Sequence, residues 1–317
     1  MTLAALESAA ALVGQVMPPT PQYCWPLLSA RCGCAVWVKH ENHTPVGAFK
    51  VRGGLVYMDH LRQAEPGVAG VICATRGNHG QSVAFAARRY GLTSAVVVPH
   101  GNSVEKNAAM RALGAELVEH GRDFQDAYDH ARQLSAQRKV HLVPSFHPWL
   151  VAGVATYSLE FLSRTPDLDS VYVPVGQGSG ICGMIAARDA LRRRTHIVGV
   201  VSERLPAYAL SVQRGQPVET PPADTIADGV ACRVPDPDAL KLILKGVERV
   251  VAVSEAAIRA AMRYYFTDTH NVAEGAGAAP LAALLAERDR MAGKNVGLVL
   301  SGGNVDRDVF AGVLAED

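Results

Sequence analysis

Short runs of apolar and β-branched residues recur along this chain, and longer stretches with helical periodicity lie between them. The clearest strand candidates are 71–75 (VICAT), 94–99 (SAVVVP), 171–176 (VYVPVG), 197–201 (IVGVV), 250–254 (VVAVS) and 296–303 (VGLVLSGG). They are apolar on both faces, which suits strands of a parallel sheet covered by helices on either side. Helical patterns fit 79–90, 103–113, 123–137, 149–164, 180–193, 255–265 and 277–292. Such a sustained βαβα rhythm predicts a doubly wound α/β architecture. The sequence has no internal repeat, low-complexity segment or long linker, so any two domains must be interleaved.

The 317 residues suffice for one large domain or two modest ones, and 49% apolar with 19% charged residues is ordinary for a compact core. A net charge of +1 without blocks of like charge gives no footing for a nucleic-acid partner or a polybasic membrane anchor. Residues 1–20 lack a basic leading region, carry Glu7, and read as an amphipathic helix ended by Pro18 and Pro19, not as a signal peptide. No apolar run approaches the roughly 20 residues that span a bilayer. The six cysteines follow no regular spacing and several sit in strand-like runs, which points to reduced thiols and a cytoplasmic protein. Cys32-Gly33-Cys34 has no second pair at ligand spacing, so no metal site is expected.

Glycine-rich or polar turns follow three of the strands, at 77–80, 176–180 and 301–303. Ligands of open parallel sheets collect outside the carboxyl ends of strands, so the three turns are candidates for one cleft. In VPVGQGSGICG (173–183), Gly176, Gly178 and Gly180 allow a tight bend with unobstructed N–H groups ahead of a helix start, which suits a phosphate. The same run fits a dinucleotide fingerprint, with Glu203 near the distance its acidic residue requires. In ATRGNHGQS (74–82), Thr75, Asn78 and the amides around Gly77 and His79 form a possible anion-binding turn. Taken singly, the stretch is better read as a helix capped by Asn78 with His79 solvated. Ser301 is either a hydroxyl at the cleft or a turn residue. SVEK (103–106) matches S-x-x-K, but its companion motifs are missing and the segment sits at a helix start, so it is set aside. Finally, in TPVGAFKVRGG (44–54), Lys50 follows Gly-Ala-Phe and precedes Arg52 by two positions, a setting suited to a buried, reactive amine.

Together these segments resemble the fold type II pyridoxal-phosphate enzymes, specifically the serine/threonine dehydratase group. The resemblance runs from PPTP (18–21) to SGGNVD (301–306) and takes in VKHENHTPVGAFKVRGG, TRGNHGQSVAFAARRYG, GSGICG, TIADGVA and AEGAGAAPLAAL, in the family's order. It implies a tryptophan synthase β-like fold of two interleaved open-sheet α/β domains. Residues 47–146 would form a small substrate-binding domain, and 1–46 with 147–317 a large coenzyme-binding one. It further implies pyridoxal 5'-phosphate bound covalently to Lys50, with Phe49 against its ring and Gly47 and Ala48 leaving room. Arg52 would brace the local structure. Asn78 would bond the ring hydroxyl oxygen, while Gly176, Gln177, Gly178, Ser179 and Gly180 would hold the phosphate. Thr75, Arg76, Gly77, Asn78 and His79 would surround the substrate carboxylate, and Ser301 would face the pyridine nitrogen. A serine is too weak an acid to keep that nitrogen protonated, which disfavours a long-lived carbanion and suits expulsion of a β-substituent. The implied reaction is α,β-elimination of L-threonine or L-serine, with Lys50 taking the α-proton, to give a 2-oxo acid and ammonia.

Several positions depart from the family pattern. Racemising members carry a serine where this chain has Arg76, and a guanidinium does not donate protons at neutral pH, so negligible racemisation is expected. Two partners suit Arg76 equally: a carboxylate of the protein, or one on the substrate. The second brings in threo-3-hydroxyaspartate beside phenylserine-type β-hydroxy amino acids. Relatives that bind a divalent cation use a glutamate where this chain has Val201 and Ser202, with Glu203 displaced, so metal binding is again not expected. TDTHNVAEGAGA (267–278) retains the family's Glu274, and His270 is either a substrate contact or, the favoured reading, a structural histidine. The sequence ends eleven residues after Asp306, which implies no isoleucine-regulated domain and a catabolic role. A homodimer is implied by resemblance. Among alternatives, a cysteine-synthase-like replacement enzyme usually has threonine in place of His79. A nicotinamide-dependent oxidoreductase leaves Lys50, Asn78 and Ser301 unaccounted for, and the intact lysine and phosphate loop speak against a catalytically silent binding protein.

Overall fold

The computed structural model describes residues 1–316. Its ten strands are β1 (Gln22–Cys24), β2 (Ala35–His40), β3 (Gly70–Ala74), β4 (Thr93–Val98), β5 (Glu116–Glu119), β6 (His141–Leu142), β7 (Ser170–Pro174), β8 (His196–Ser202), β9 (Arg249–Val253) and β10 (Asn295–Leu300). They form two sheets, ordered β1-β2-β10-β7-β8-β9 and β5-β4-β3-β6. Every pairing is parallel except β1 with β2. The four strands of the smaller sheet are consecutive in sequence and interrupt the larger one between β2 and β7.

All six expected strands are present, their starts displaced by one residue. β3 and β7 are buried along their whole length, as two-sided helical cover demands. β9 is an exception: it is an edge strand and only Val253 is buried. The unexpected strands have weaker patterns. β5 (ELVE) buries no residue fully, and β2 carries Lys39 and His40, which are polar yet buried.

The helix Lys50–Ala64 also escapes its periodicity, because Gly53 and Gly54 interrupt it. Those glycines exist for packing. A Cβ at Gly54 would stand 2.3 Å from Ser82 Oγ, and one at Gly153 would stand 2.2 Å from the Arg52 carbonyl oxygen. The helices Lys50–Ala64 and Pro148–Arg164 therefore touch backbone to backbone, which holds the first turn of the former against the larger sheet's helices.

The six thiols are free and all but Cys24 are buried. Burial pushes Cys32 up to about 12 and Cys34 up to about 11, so neither is a thiolate at neutral pH. Among the described residues no helix is long and apolar enough to cross a membrane.

Candidate active site

Lys50 is positioned by the end of β10. Ala48 forms an antiparallel bridge with Gly302, Phe49 N–H donates to the Ser301 carbonyl at 3.0 Å, and Gly303 N–H donates to the Gly47 carbonyl at 3.0 Å. Gly47 has φ +67°, and a Cβ there would lie 2.5 Å from Asn304 Oδ1, so the turn into Lys50 requires glycine. The Lys50 amine donates to Ser179 Oγ at 3.1 Å and stands 5.1 Å from the Phe49 ring centroid. Among the described residues it meets no carboxylate. Desolvation alone lowers its pKa from 10.5 to about 8. About a tenth of the amine is then uncharged at pH 7, roughly 300-fold more than for an ordinary lysine.

Arg52, two residues on, points to another side of the helix. It is fully buried and binds Glu41 through Nε (2.7 Å) and Glu160 through Nη1 (2.7 Å). Lys39 Nζ completes this set at 2.6 Å from Glu160. Desolvation opposes the guanidinium charge, but Glu41 and Glu160 outweigh it and leave the pKa raised. The bracing role expected of Arg52 is thus a neutral, buried two-cation, two-carboxylate network beneath the lysine helix.

The turn after β3 is built around one hydroxyl. Thr75 Oγ1 accepts from Gly77 N–H at 2.9 Å and Gly80 N–H at 3.2 Å. Thr75 thus occupies the capping role, and Asn78 is the first residue of the helix Asn78–Arg89. His79 is buried, not solvated, with Nε2 unpartnered. Burial, then the nearby Lys50, lowers its pKa to about 3, so the ring is neutral. Asn78 is fixed at both ends of its amide: Nδ2 donates to Glu274 Oε1 at 2.7 Å, and Oδ1 accepts from Asn304 at 2.9 Å. Arg76 is exposed and, among the described residues, makes no hydrogen bond or ion pair. Pairing with a protein carboxylate, one of its two expected roles, does not occur among the described residues.

The segment 176–180 forms an open bend. Gly178 has φ +100°, and a Cβ at Gly176 would meet the Gly229 carbonyl oxygen at 2.3 Å. The helix Ser179–Ala190 starts here, and its first-turn amides have no intrahelical acceptors. Tyr157 donates to the Gly180 carbonyl at 3.2 Å and meets the Phe49 ring edge-on, with centroids 6.0 Å apart. Ser301 is buried, and its side chain makes no hydrogen bond within the protein.

The thirteen residues expected to bind coenzyme or substrate (Phe49, Lys50, 75–79, 176–180 and Ser301) all line one cavity of about 110 Å³. An outer cavity of about 710 Å³ shares Arg76, Phe124, Ser145, Gln177 and Ala231 with it. Sequence reasoning missed Lys106 and Asp228. Ser103 does cap a helix, accepting from Lys106 N–H at 3.1 Å. The Lys106 side chain, however, crosses Gly77, whose Cβ would stand 2.3 Å from Lys106 Cδ. Its amine reaches Asp228 at 2.7 Å and Glu274 at 3.4 Å. Desolvation works against the Lys106 charge, and the two carboxylates more than reverse it, leaving the pKa raised. Burial pushes Glu274 up to about 7, with Lys106 holding it back.

Other candidates stand apart. Glu203 is exposed beyond β8 and absent from the cavity wall, so the acidic residue of a dinucleotide site is not in place. His270 ends the helix Glu255–Thr269 with φ +53° and lies outside the cavity wall, consistent with its structural assignment. Glu255 accepts from Ser202 Oγ (3.0 Å), Thr225 Oγ1 (2.5 Å) and Ile226 N–H (2.8 Å), tying the 225–230 segment to the end of β8. Among the described residues no group of three metal-ligating side chains is gathered.

Residues 13–302 match the family described as pyridoxal-phosphate dependent enzyme. The L-threonine ammonia-lyase of Thermotoga maritima is 34% identical over 307 residues, covering 96% of this chain and 76% of that protein. The L-threonine ammonia-lyase of Geobacter sulfurreducens is 39% identical over 280 residues, covering 88% and 69%. The processed form of threonine deaminase isoform 2 from Solanum lycopersicum superposes with a TM-score of 0.91 at 30% identity, covering 99% of this chain and 93% of that one.

Proposed function

Because this chain belongs to the pyridoxal-phosphate dependent enzymes, we propose that it catalyses α,β-elimination of a β-hydroxy amino acid, L-threonine or L-serine, to a 2-oxo acid and ammonia. The cavity suits the coenzyme: an uncountered amine lies 3.1 Å from the serine of a glycine bend that a Cβ at Gly176 would obstruct. When bound, pyridoxal 5'-phosphate supplies an electrophilic aldehyde and an electron-withdrawing ring.

In this reading the residues have separate tasks. Lys50 is the catalytic residue: its desolvated amine would hold the coenzyme and, when substrate is bound, would take up the α-proton. Amides of Gly176, Gln177, Gly178, Ser179 and Gly180 hold the phosphate at a helix start. Phe49 bounds the ring, and Asn78, held by Glu274 and Asn304, presents its remaining N–H. Ser301 offers a neutral hydroxyl, so no charge is fixed opposite the ring nitrogen. Thr75 already accepts amide protons from Gly77 and Gly80, which leaves its own O–H to donate to the substrate carboxylate beside the amides of Asn78 and His79. His79 stays neutral and takes no part as a cation. Arg76 holds its protons, so racemisation is negligible.

Residues 47–146 act as the small substrate-binding lobe and the remainder as the coenzyme lobe, a division supported by the separate smaller sheet. Six free thiols support a reducing, cytoplasmic setting, and the assembly in this reading is a homodimer. The observation carrying the proposal is the Lys50 amine without a counter-ion beside the glycine bend. The test is 2-oxo acid formation from L-threonine and L-serine by the holoenzyme and by Lys50→Ala. Turnover in the first and its loss in the second support it; full turnover by Lys50→Ala, or none from either amino acid by the wild type, refutes it.

A further inference from the structure

We propose that Arg76 selects β-hydroxy amino acids that carry a carboxylate on the side chain, with 3-hydroxyaspartate the shortest of the class. The inference rests on the elimination chemistry above and narrows its substrate. Five residues line both the inner and the outer cavity, and among them Arg76 is the one that carries a charge. The turn that carries it is pinned by the Thr75 hydroxyl through the Gly77 and Gly80 amides, while its side chain is exposed and without a partner among the described residues. Of the other arginines of the outer cavity, Arg233 binds Asp123 at 2.9 Å, and Arg122 is almost fully exposed to solvent, 3.8 Å from Asp126, and does not line the inner cavity. Asp224 lines the outer wall but forms no ion pair with Arg76.

A substrate whose α-carboxylate met Thr75 and the amides of Asn78 and His79, with its α-carbon toward Lys50, would send its β-substituent toward the rim shared by the two cavities. A methyl group or hydrogen leaves the guanidinium there unused. A carboxylate pairs with it bidentately, a charge-assisted contact stronger than a neutral one. The reaction balances without an oxidant. The α-proton and the β-hydroxyl leave as water, the resulting enamine takes up one water, and ammonia departs from the 2-oxo dicarboxylic acid.

The competing occupant is a neutral, bulky substituent, since Phe124, Tyr128 and Phe146 also line the outer cavity. Steady-state turnover of threo-3-hydroxyaspartate, threonine and phenylserine by the holoenzyme separates the two. The acidic substrate is expected to have the highest kcat/KM. Arg76→Ala is expected to lower the ratio of acidic substrate to threonine about 10- to 100-fold, with Arg76→Lys recovering part of it. A second readout avoids turnover. L-aspartate, which has no β-leaving group, should bind the wild type at least about tenfold more tightly than L-asparagine in calorimetry, and Arg76→Ala should erase that preference. Phenylserine as the preferred substrate, or equal losses on threonine and 3-hydroxyaspartate in Arg76→Ala, overturns the assignment while leaving the elimination intact. No 2-oxo acid from any of the three removes the elimination itself.

Discussion

On one wall of the cavity, Lys50 meets a serine hydroxyl and a phenyl ring; on another, Lys106 sits between Asp228 and Glu274. Both amines are desolvated, and desolvation is the largest influence on each. Whether a carboxylate stands within reach decides the outcome. Without one, the Lys50 pKa falls to about 8. With two, Lys106 remains an ammonium and joins the helix Val104–Ala112 to Asp228 and Glu274. The difference teaches that a reactive lysine is defined by the counter-ion withheld from it. Arg52 reinforces the point, since its own counter-ions, Glu41 and Glu160, lie where they cannot serve Lys50.

The largest effect that tests this contrast is catalytic. Lys50→Ala should lower kcat by about 10³-fold or more, measured as 2-oxo acid release. Denaturation of the apo-enzyme should show no loss of stability, because no ion pair is broken. Lys106→Met should reverse the pattern. It leaves Asp228 and Glu274 without their cation, so urea unfolding of the apo-enzyme should show a loss of about 3 kcal/mol. That is the lower end of such losses, because Glu274, already at about 7, can take up a proton. Full stability in Lys106→Met would break the comparison.

The pH dependence should sharpen it. With Lys50 as the proposed attachment point, capture of pyridoxal 5'-phosphate by the apo-enzyme would require its uncharged amine, so the rate should fall about tenfold per pH unit below pH 8. Stability carries the same signature. From about pH 8 to 10.5 the unfolded lysine binds a proton that the folded one does not, so the Lys50 contribution to apo-enzyme stability rises with pH in that window. Lys50→Met should flatten that rise in pH-dependent unfolding. The smallest effect concerns the glycine bend beside Lys50. Gly178→Ala forces alanine into φ +100°, with its Cβ 2.7 Å from that of Ala239, and should weaken coenzyme retention about five- to tenfold in a dialysis assay.

These two walls also differ in how far they were legible in the sequence. Lys50, the 176–180 bend and the 75–79 turn are contiguous segments whose residue types carry their own chemistry, and the structure gathers them all into one wall. Lys106 finds Asp228 across 122 positions, and nothing in SVEK announces that partner. Its neighbour Ser103 gave a correct local signal, a helix cap, which concealed the side chain's second destination. β2 escaped for the same reason, since its buried Lys39 is neutralised by Glu160, 121 positions away. The strands apolar on both faces were legible because burial acts through composition. The 74–82 stretch taken singly suggests a solvated His79, whereas the ring is buried, because a local pattern does not reveal what packs over a helix start.

The most direct measurement of the central claim is borohydride reduction of the holoenzyme, followed by tryptic digestion and mass spectrometry. The pyridoxyl phosphate mass should appear on Lys50, in the peptide of residues 40–52, because the blocked lysine resists cleavage. Finding it on Lys106, or on no lysine, would contradict the account.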